Sequence, residues 1–192
     1  MKYFFLFLLV FFTNDALANY FKNIKPYIGI DMGLNFADYN YNTDLDDIYF
    51  SVSANAGLRI KKNLGLEIFF TQSSTNKLNF ISDNQAQNHE FYYQAIGFDL
   101  YGFYNLSKDF DFFTTVGVAR YYTFNKYECV GLKNYSDKTS VKNTTSRFGI
   151  GFIYNFPYNN IHGIIKYNFS PINNNLIKNL SEISLGFQYV FL

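Results

Sequence analysis

Residues 27–36, YIGIDMGLNF, decide how the rest of the chain is read. Ile28, Ile30, Met32, Leu34 and Phe36 fall on one parity; Tyr27, Gly29, Asp31, Gly33 and Asn35 fall on the other. Side chains of a strand alternate between its two faces, so this period of two predicts a strand with one apolar and one polar face. The pattern then repeats along the chain. In 50–60, Phe50, Val52, Ala54, Ala56 and Leu58 oppose Ser51, Ser53, Asn55, Gly57 and Arg59. In 64–70, Leu66, Ile68 and Phe70 oppose Gly65 and Glu67, and in 91–104, Ile96, Phe98, Leu100 and Tyr104 oppose Gly97 and Asp99. Around 111–123, Phe112, Val116 and Val118 face away from Gly117 and Ala119. Residues 147–156 set Phe148, Ile150, Phe152 and Tyr154 against Arg147, Gly149 and Gly151. In 161–169, Ile161, Ile165, Tyr167 and Phe169 oppose His162, Lys166 and Asn168. The last segment sets Ile183, Leu185, Phe187, Tyr189 and Phe191 against Glu182, Ser184, Gly186 and Gln188.

Eight such segments, each long enough to cross a bilayer at a tilt, predict an all-β protein: an eight-stranded antiparallel up-and-down transmembrane β-barrel. The connections support it by alternating in length. Those at 61–63, 105–110 and 157–160 are short, and those at 37–49, 71–90, 124–146 and 170–181 are long. Short turns on one side and long loops on the other are the outer-membrane arrangement, with both termini on the periplasmic, short-turn side. A soluble eight-stranded barrel would also alternate. Its water-facing side, however, would favour long Lys and Glu, whereas here the polar face is rich in Gly, Ser, Ala and Asn, which suit a narrow interior. The apolar face is free of charge apart from Arg120, which shares the parity of Val116 and Val118. Either Arg120 snorkels at the loop-side interface, or a bulge near Tyr121 switches the faces. Tyr27, Tyr104, Tyr154, Tyr167 and Tyr189 fall near segment ends, where an aromatic girdle belongs.

Composition excludes several classes. The chain has 192 residues, 22% of them aromatic, which rules out a disordered polymer. Only 16% are charged, against about 25% in an average soluble domain. A net charge of +1 gives no reason to expect nucleic acid. The lone cysteine, Cys129, excludes an internal disulfide framework and a multi-cysteine metal cage. Asp44, Asp46 and Asp47 lack the calcium-loop spacing, and Gly149-Ile150-Gly151 precedes no helix, so no metal or other cofactor is expected. At the start, Lys2, the apolar run 3–12 and Ala16-Leu17-Ala18 match a secretory leader with cleavage residues Ala16 and Ala18. Residues 1–18 are therefore expected to be a signal peptide and 19–192 the barrel domain.

If the polar faces point inward, the interior holds Asp31, Arg59, Glu67, Asp99, Arg147, Lys166 and Glu182. Opposite charges in so narrow a space are expected to pair, with Glu67 serving Arg59 or Lys166. The sharper alternative is an ion-conducting constriction, while a diffusion porin needs about 16 strands.

The chain resembles the small eight-stranded outer-membrane barrels of the OmpA/OmpX and opacity-protein kind. Ser184, Gly186, Tyr189 and Phe191 look like the C-terminal signal read by the barrel-assembly machinery, though Leu192 follows the terminal aromatic. Gly65–Phe70 (GLEIFF) and Pro26-Tyr27-Ile28-Gly29 are similar to the same group. The resemblance implies contact with outer-membrane lipids and the assembly machinery, and a host or environmental ligand at the four long loops. It implies a non-enzymatic surface protein that supports the envelope and adheres through its loops; the alternative is a narrow channel for ions or small solutes. Lipid-modifying enzymes of this size carry a His and a Ser at the loop-side rim. Here His89 precedes the fourth segment, His162 lies at the opposite end, and no His-x-Ser pair is present. Cys129 is expected in the longest loop as an external thiol.

Overall fold

The computed structural model describes residues 24–40, 48–60, 62–82, 85–130, 135–157, 160–174 and 177–191. Among them are nine strands: β1 (Ile24–Tyr39), β2 (Ile48–Ile60), β3 (Leu64–Ser73), β4 (Asn76–Ser82), β5 (Gln85–Asn105), β6 (Phe110–Val130), β7 (Tyr135–Asn155), β8 (Ile161–Ser170) and β9 (Ile177–Val190). Apart from β3 and β4, consecutive strands pair antiparallel; β9 returns to β1 and β3 pairs with β5, so eight strands close into a barrel. Closure satisfies every ring strand on both sides, which a lipid environment requires because no water is present to do so. β4 stands outside the ring and pairs only with the far end of β5.

Burial is inverted relative to a water-soluble domain. The outward side chains are apolar and open, with Ile28, Met32 and Leu185 at 52%, 57% and 62% exposure, while Asp31, Glu67 and Asp99 inside are at 1% or less. Alternation within each strand causes this: one residue of slip would turn every charge to the lipid.

The two ends differ in length. The described turns at one end are short, for example the four residues 106–109 between β5 and β6. At the other end β5, β6 and β7 run on past the ring. Pairing of β5 with β6 reaches Ala86↔Val130, and β6 with β7 reaches Cys129↔Tyr135. β8 leaves β7 at Phe148↔Phe169. Most of 71–90 and 124–146, expected as loops, is therefore strand, forming with β4 a sheet that projects from the barrel. These stretches lack an apolar face, so the periodicity that marks a membrane-crossing strand is missing from them. The loops expected at 37–49 and 170–181 shrink in the same way, since β1 continues to Tyr39, β2 begins at Ile48 and β9 at Ile177. Asn173, at φ 50°, turns the chain between β8 and β9, a conformation Asn tolerates.

Tyr27, expected in the aromatic girdle, is not part of it: it is 4% exposed and points into the barrel, while Tyr104, Tyr167 and Tyr189 lie outside at 41–66%. Arg120 pairs in unbroken register with Ile96 and Thr144, and Tyr121 beside it is buried, so no bulge switches the faces. Arg120 instead lies outside at the loop-end rim of the apolar band, its Nε donating to Thr144 Oγ1 at 3.2 Å. The expected leader with Ala16 and Ala18, and also Asp44, Asp46, Asp47 and Leu192, lie outside the described residues.

Candidate functional site: the lumen and its two mouths

The inward parity of eight strands brings side chains distant in sequence into one narrow column. At mid-height two cations each bridge two carboxylates. Arg147 on β7 contacts Asp99 on β5 and Glu182 on β9, the latter at 3.0 Å, so it ties together strands two places away on either side. Lys166 on β8 contacts Asp31 on β1 at 2.6 Å and Glu67 on β3, across the lumen, at 3.7 Å. Neutral donors complete the set. Tyr27 and Tyr101 hydroxyls donate to Glu67 at 3.0 and 2.8 Å, Asn55 donates to Asp31 at 2.7 Å, and Asn168 donates to Glu182 at 3.1 Å. The Arg147 guanidinium also lies 4.2 Å from the centre of the Phe69 ring. Charges taken out of water persist only with such partners, and removing one partner from a buried pair costs about 3–5 kcal/mol.

Arg59 takes no part in that column. It sits nearer the turn end, pairs with Asp111 at 2.8 Å and stacks over Phe103 at 4.3 Å. The expected choice of Arg59 or Lys166 for Glu67 thus resolves to Lys166, because Asp111 occupies Arg59. Asp111 is a site residue that sequence reasoning missed. It shares the inward parity of Gly117 and Ala119, so continuing the alternation to the first residues of β6 would have found it.

Aromatic layers close the column above and below. Toward the projecting sheet, Tyr49, Phe69, Phe91, Tyr93 and Tyr121 pack with Ile172 of the β8–β9 connection and with Ile177 and Leu180 at the start of β9. Toward the turns, Tyr101, Phe103 and Phe113 pack with Ile153 and Ile164. Two of the ring hydroxyls are tied to the wall, Tyr93 donating to Asn35 at 2.6 Å and Tyr121 sharing a hydrogen bond with Ser170 at 2.7 Å. Several interior glycines make room for the rings: a Cβ on Gly97 would meet the Phe69 ring, and one on Gly151 would meet Phe113. These inward aromatics were hidden in sequence because Tyr and Phe also furnish the lipid face. Beside the Arg147 cluster only about 10 Å³ is open, room for about one water.

The turn-end mouth is different. It holds a cavity of about 590 Å³ walled by Lys25, Arg59, Lys62, Lys108 and His162, with Asp111 among them.

The remaining candidates are dispersed. Ser184 and Gly186 of β9 point into the lumen, where the Asp31 carboxylate lies against Gly186 and a side chain there would displace it. Tyr189 and Phe191 point outward, their rings edge to face at 5.1 Å. Cys129 belongs to β6 in the projecting sheet, paired in register with Gln87 and Tyr135, rather than to a loop. His89 lies in β5 opposite Leu78 and Tyr127, far from His162. No group of three or more His, Cys, Asp or Glu among the described residues is arranged to hold a metal ion.

A family model described as the outer membrane protein beta-barrel domain matches residues 4–191. The chain belongs to that family. No curated protein matches it in sequence. Among solved structures, the attachment invasion locus protein Ail of Yersinia pestis, in complex with the heparin analogue sucrose octasulfate, superposes with a TM-score of 0.59 at 15% identity. That match covers 88% of this chain and 99% of Ail. Neisserial surface protein A is similar at TM-score 0.60 and 17% identity, covering 86% of this chain and 97% of its own. OprG of Pseudomonas aeruginosa reaches 0.51 at 10% identity, over 88% and 96%. Identities this low speak for the fold, and each neighbour is an outer-membrane or surface barrel.

Proposed function

We propose that this family member is a non-enzymatic surface protein of the outer membrane, in which a closed barrel anchors a projecting sheet that makes the external contacts. The observation that carries this reading is the contrast between a lumen filled by ion pairs and aromatic layers and a sheet that leaves the apolar band with an open edge. Among the described residues, 135–147 of β7 have a strand neighbour on the β6 side alone. The lower part of that edge is covered, with Thr145 Oγ1 donating to the Pro171 carbonyl at 2.5 Å. Above it, Ser136, Lys138, Thr139 and Ser140 are exposed. A row of free backbone N–H and C=O groups can accept an added strand, and lysines on the edge limit indiscriminate pairing. Ail forms a complex with a heparin analogue, a sulfated sugar. That complex supports the idea that barrels of this shape meet external ligands. The filled lumen argues against the alternative of a narrow channel.

In this reading the termini and short turns face the periplasm, and the projecting sheet, with Cys129, faces outward. The outward Tyr189 and Phe191, following Ser184 and Gly186, serve as the signal for the assembly machinery. Two measurements test the proposal. A membrane-impermeant maleimide should label Cys129 on intact cells; labelling only after the outer membrane is broken would reverse the orientation. Non-adherent bacteria producing the chain should be retained on cultured epithelial cells, and Ser140→Pro with Lys142→Pro, which remove N–H groups on the side of β7 away from β6, should abolish the gain. Retention equal to that of cells without the protein would refute the adhesive role.

A further inference from the structure

The turn-end cavity has no part in the anchoring or adhesive roles, yet its wall gathers four cationic side chains against a single carboxylate among the described residues. Lys25 of β1, Arg59 of β2, Lys62 of the β2–β3 turn and Lys108 of the β5–β6 turn converge on it, with His162 of β8 beside them. Asp111 is the one carboxylate among the described residues of its wall, already held by Arg59 at 2.8 Å and by Asn105. The whole chain carries a net charge of +1, so the vestibule gathers an excess of positive charge that the rest of the molecule offsets. Low-dielectric walls lined with one sign of charge focus the field and concentrate counter-ions. The floor is apolar, formed by Tyr27, Phe103, Ile153 and Val190. At about 590 Å³ the space falls within the range of small-molecule sites, about 300–1,000 Å³.

From this geometry we infer that the vestibule binds a small phosphate ester with an apolar or aromatic portion. Arg59 is committed, its two terminal nitrogens engaging Asp111 and the Lys62 carbonyl, the latter at 3.2 Å, so it forms a fixed wall. Lys62 and Lys108 are exposed turn residues on flexible stems, suited as point charges to close on a phosphate. The apolar portion lies on the floor beside Phe103. The phosphate comes either from a soluble ester or from a phospholipid headgroup at the adjacent membrane face.

The test titrates 1-naphthyl phosphate, with neutral 1-naphthol as its control, into the refolded chain in detergent and reads probe fluorescence. The phosphate should bind at least about tenfold more tightly than the naphthol. The double variant Lys62→Gln with Lys108→Gln should weaken phosphate binding about tenfold, about threefold for each partly exposed charge contact. Lys138→Gln in the projecting sheet should leave it unchanged. Both turn lysines are exposed, and an unaltered heat-dependent gel shift verifies folding of the variants. Equal affinity for naphthol and its phosphate, or an unchanged affinity in the folded double variant, would overturn the inference. In nanodiscs, displacement of the probe when phosphatidylglycerol replaces a zwitterionic lipid assigns the headgroup; binding indifferent to the lipid assigns a soluble ester.

Discussion

The projecting sheet continues three of the barrel's own strands, β5, β6 and β7, yet the lumen and the sheet obey different rules. Within the barrel, Arg147 of β7 is tied to two carboxylates, and its outward neighbours Phe148 and Ile150 are 47% and 51% exposed on the lipid side. Earlier on the same strand, Lys138, Thr139 and Ser140 are all exposed, with no apolar face. The surroundings of the strand, rather than the strand itself, decide what each side chain contributes. A charge inside the barrel holds walls together, a charge on the outside of the band is excluded, and a charge above the rim is solvated. Loss of a cation shared by two buried carboxylates should cost most, a charge placed on the lipid side next, and a change above the rim least.

Arg147→Met should be the most damaging, because it leaves Asp99 and Glu182 buried without their cation; a loss of about 3–5 kcal/mol is expected in urea unfolding of the refolded barrel. An unshifted midpoint would mean that water reaches these carboxylates and the lumen is not packed. On the lipid side, Ile150→Arg is expected to destabilise by about 2–4 kcal/mol in bilayers, as a charge near mid-membrane does. Tolerance of arginine there would place the apolar band elsewhere. Glu67→Leu should cost less, about 1–3 kcal/mol, since Lys166 keeps Asp31 at 2.6 Å and the main loss is the acceptor for the Tyr27 and Tyr101 hydroxyls. In the projecting sheet, Ser140→Val should change stability by no more than about 0.5 kcal/mol.

The smallest effect is electrostatic. Lys126, in the projecting part of β6, has its pKa raised above the usual lysine value by its hydrogen bond with Glu128, 2.6 Å away. A raised value means the folded state favours the protonated form, so the contribution is full at neutral pH and fades as pH climbs through that raised value. Glu128→Gln should return the Lys126 titration, followed by NMR, toward the usual value; an unmoved titration would show that the pair does not hold in solution.

The fold was legible because lipid imposes a strict alternation. Tyr27 to Phe36 and Glu182 to Phe191 carry that alternation without interruption, and both belong to ring strands. Inward placement of Asp31, Glu67, Asp99, Arg147, Lys166 and Glu182 follows from the same parity. Which charge meets which did not follow, because partners such as Lys166 and Glu67 lie across the lumen on strands that never pair. The projecting strands look like loops in sequence because water on both faces erases the period. The vestibule was invisible for a third reason: Lys62 and Lys108 are turn residues, and only barrel closure brings the two turns to one mouth.

In the proposed reading the lumen is a packed column whose cations bind strands together instead of guiding ions. Current through the refolded chain in a planar lipid bilayer tests this most directly. Insertion without steady current, with discrete openings appearing only when Arg147→Met loosens the column, is the predicted result. Reproducible conductance steps from the unaltered chain would contradict it and make Arg147, Lys166 and their carboxylates the lining of a channel.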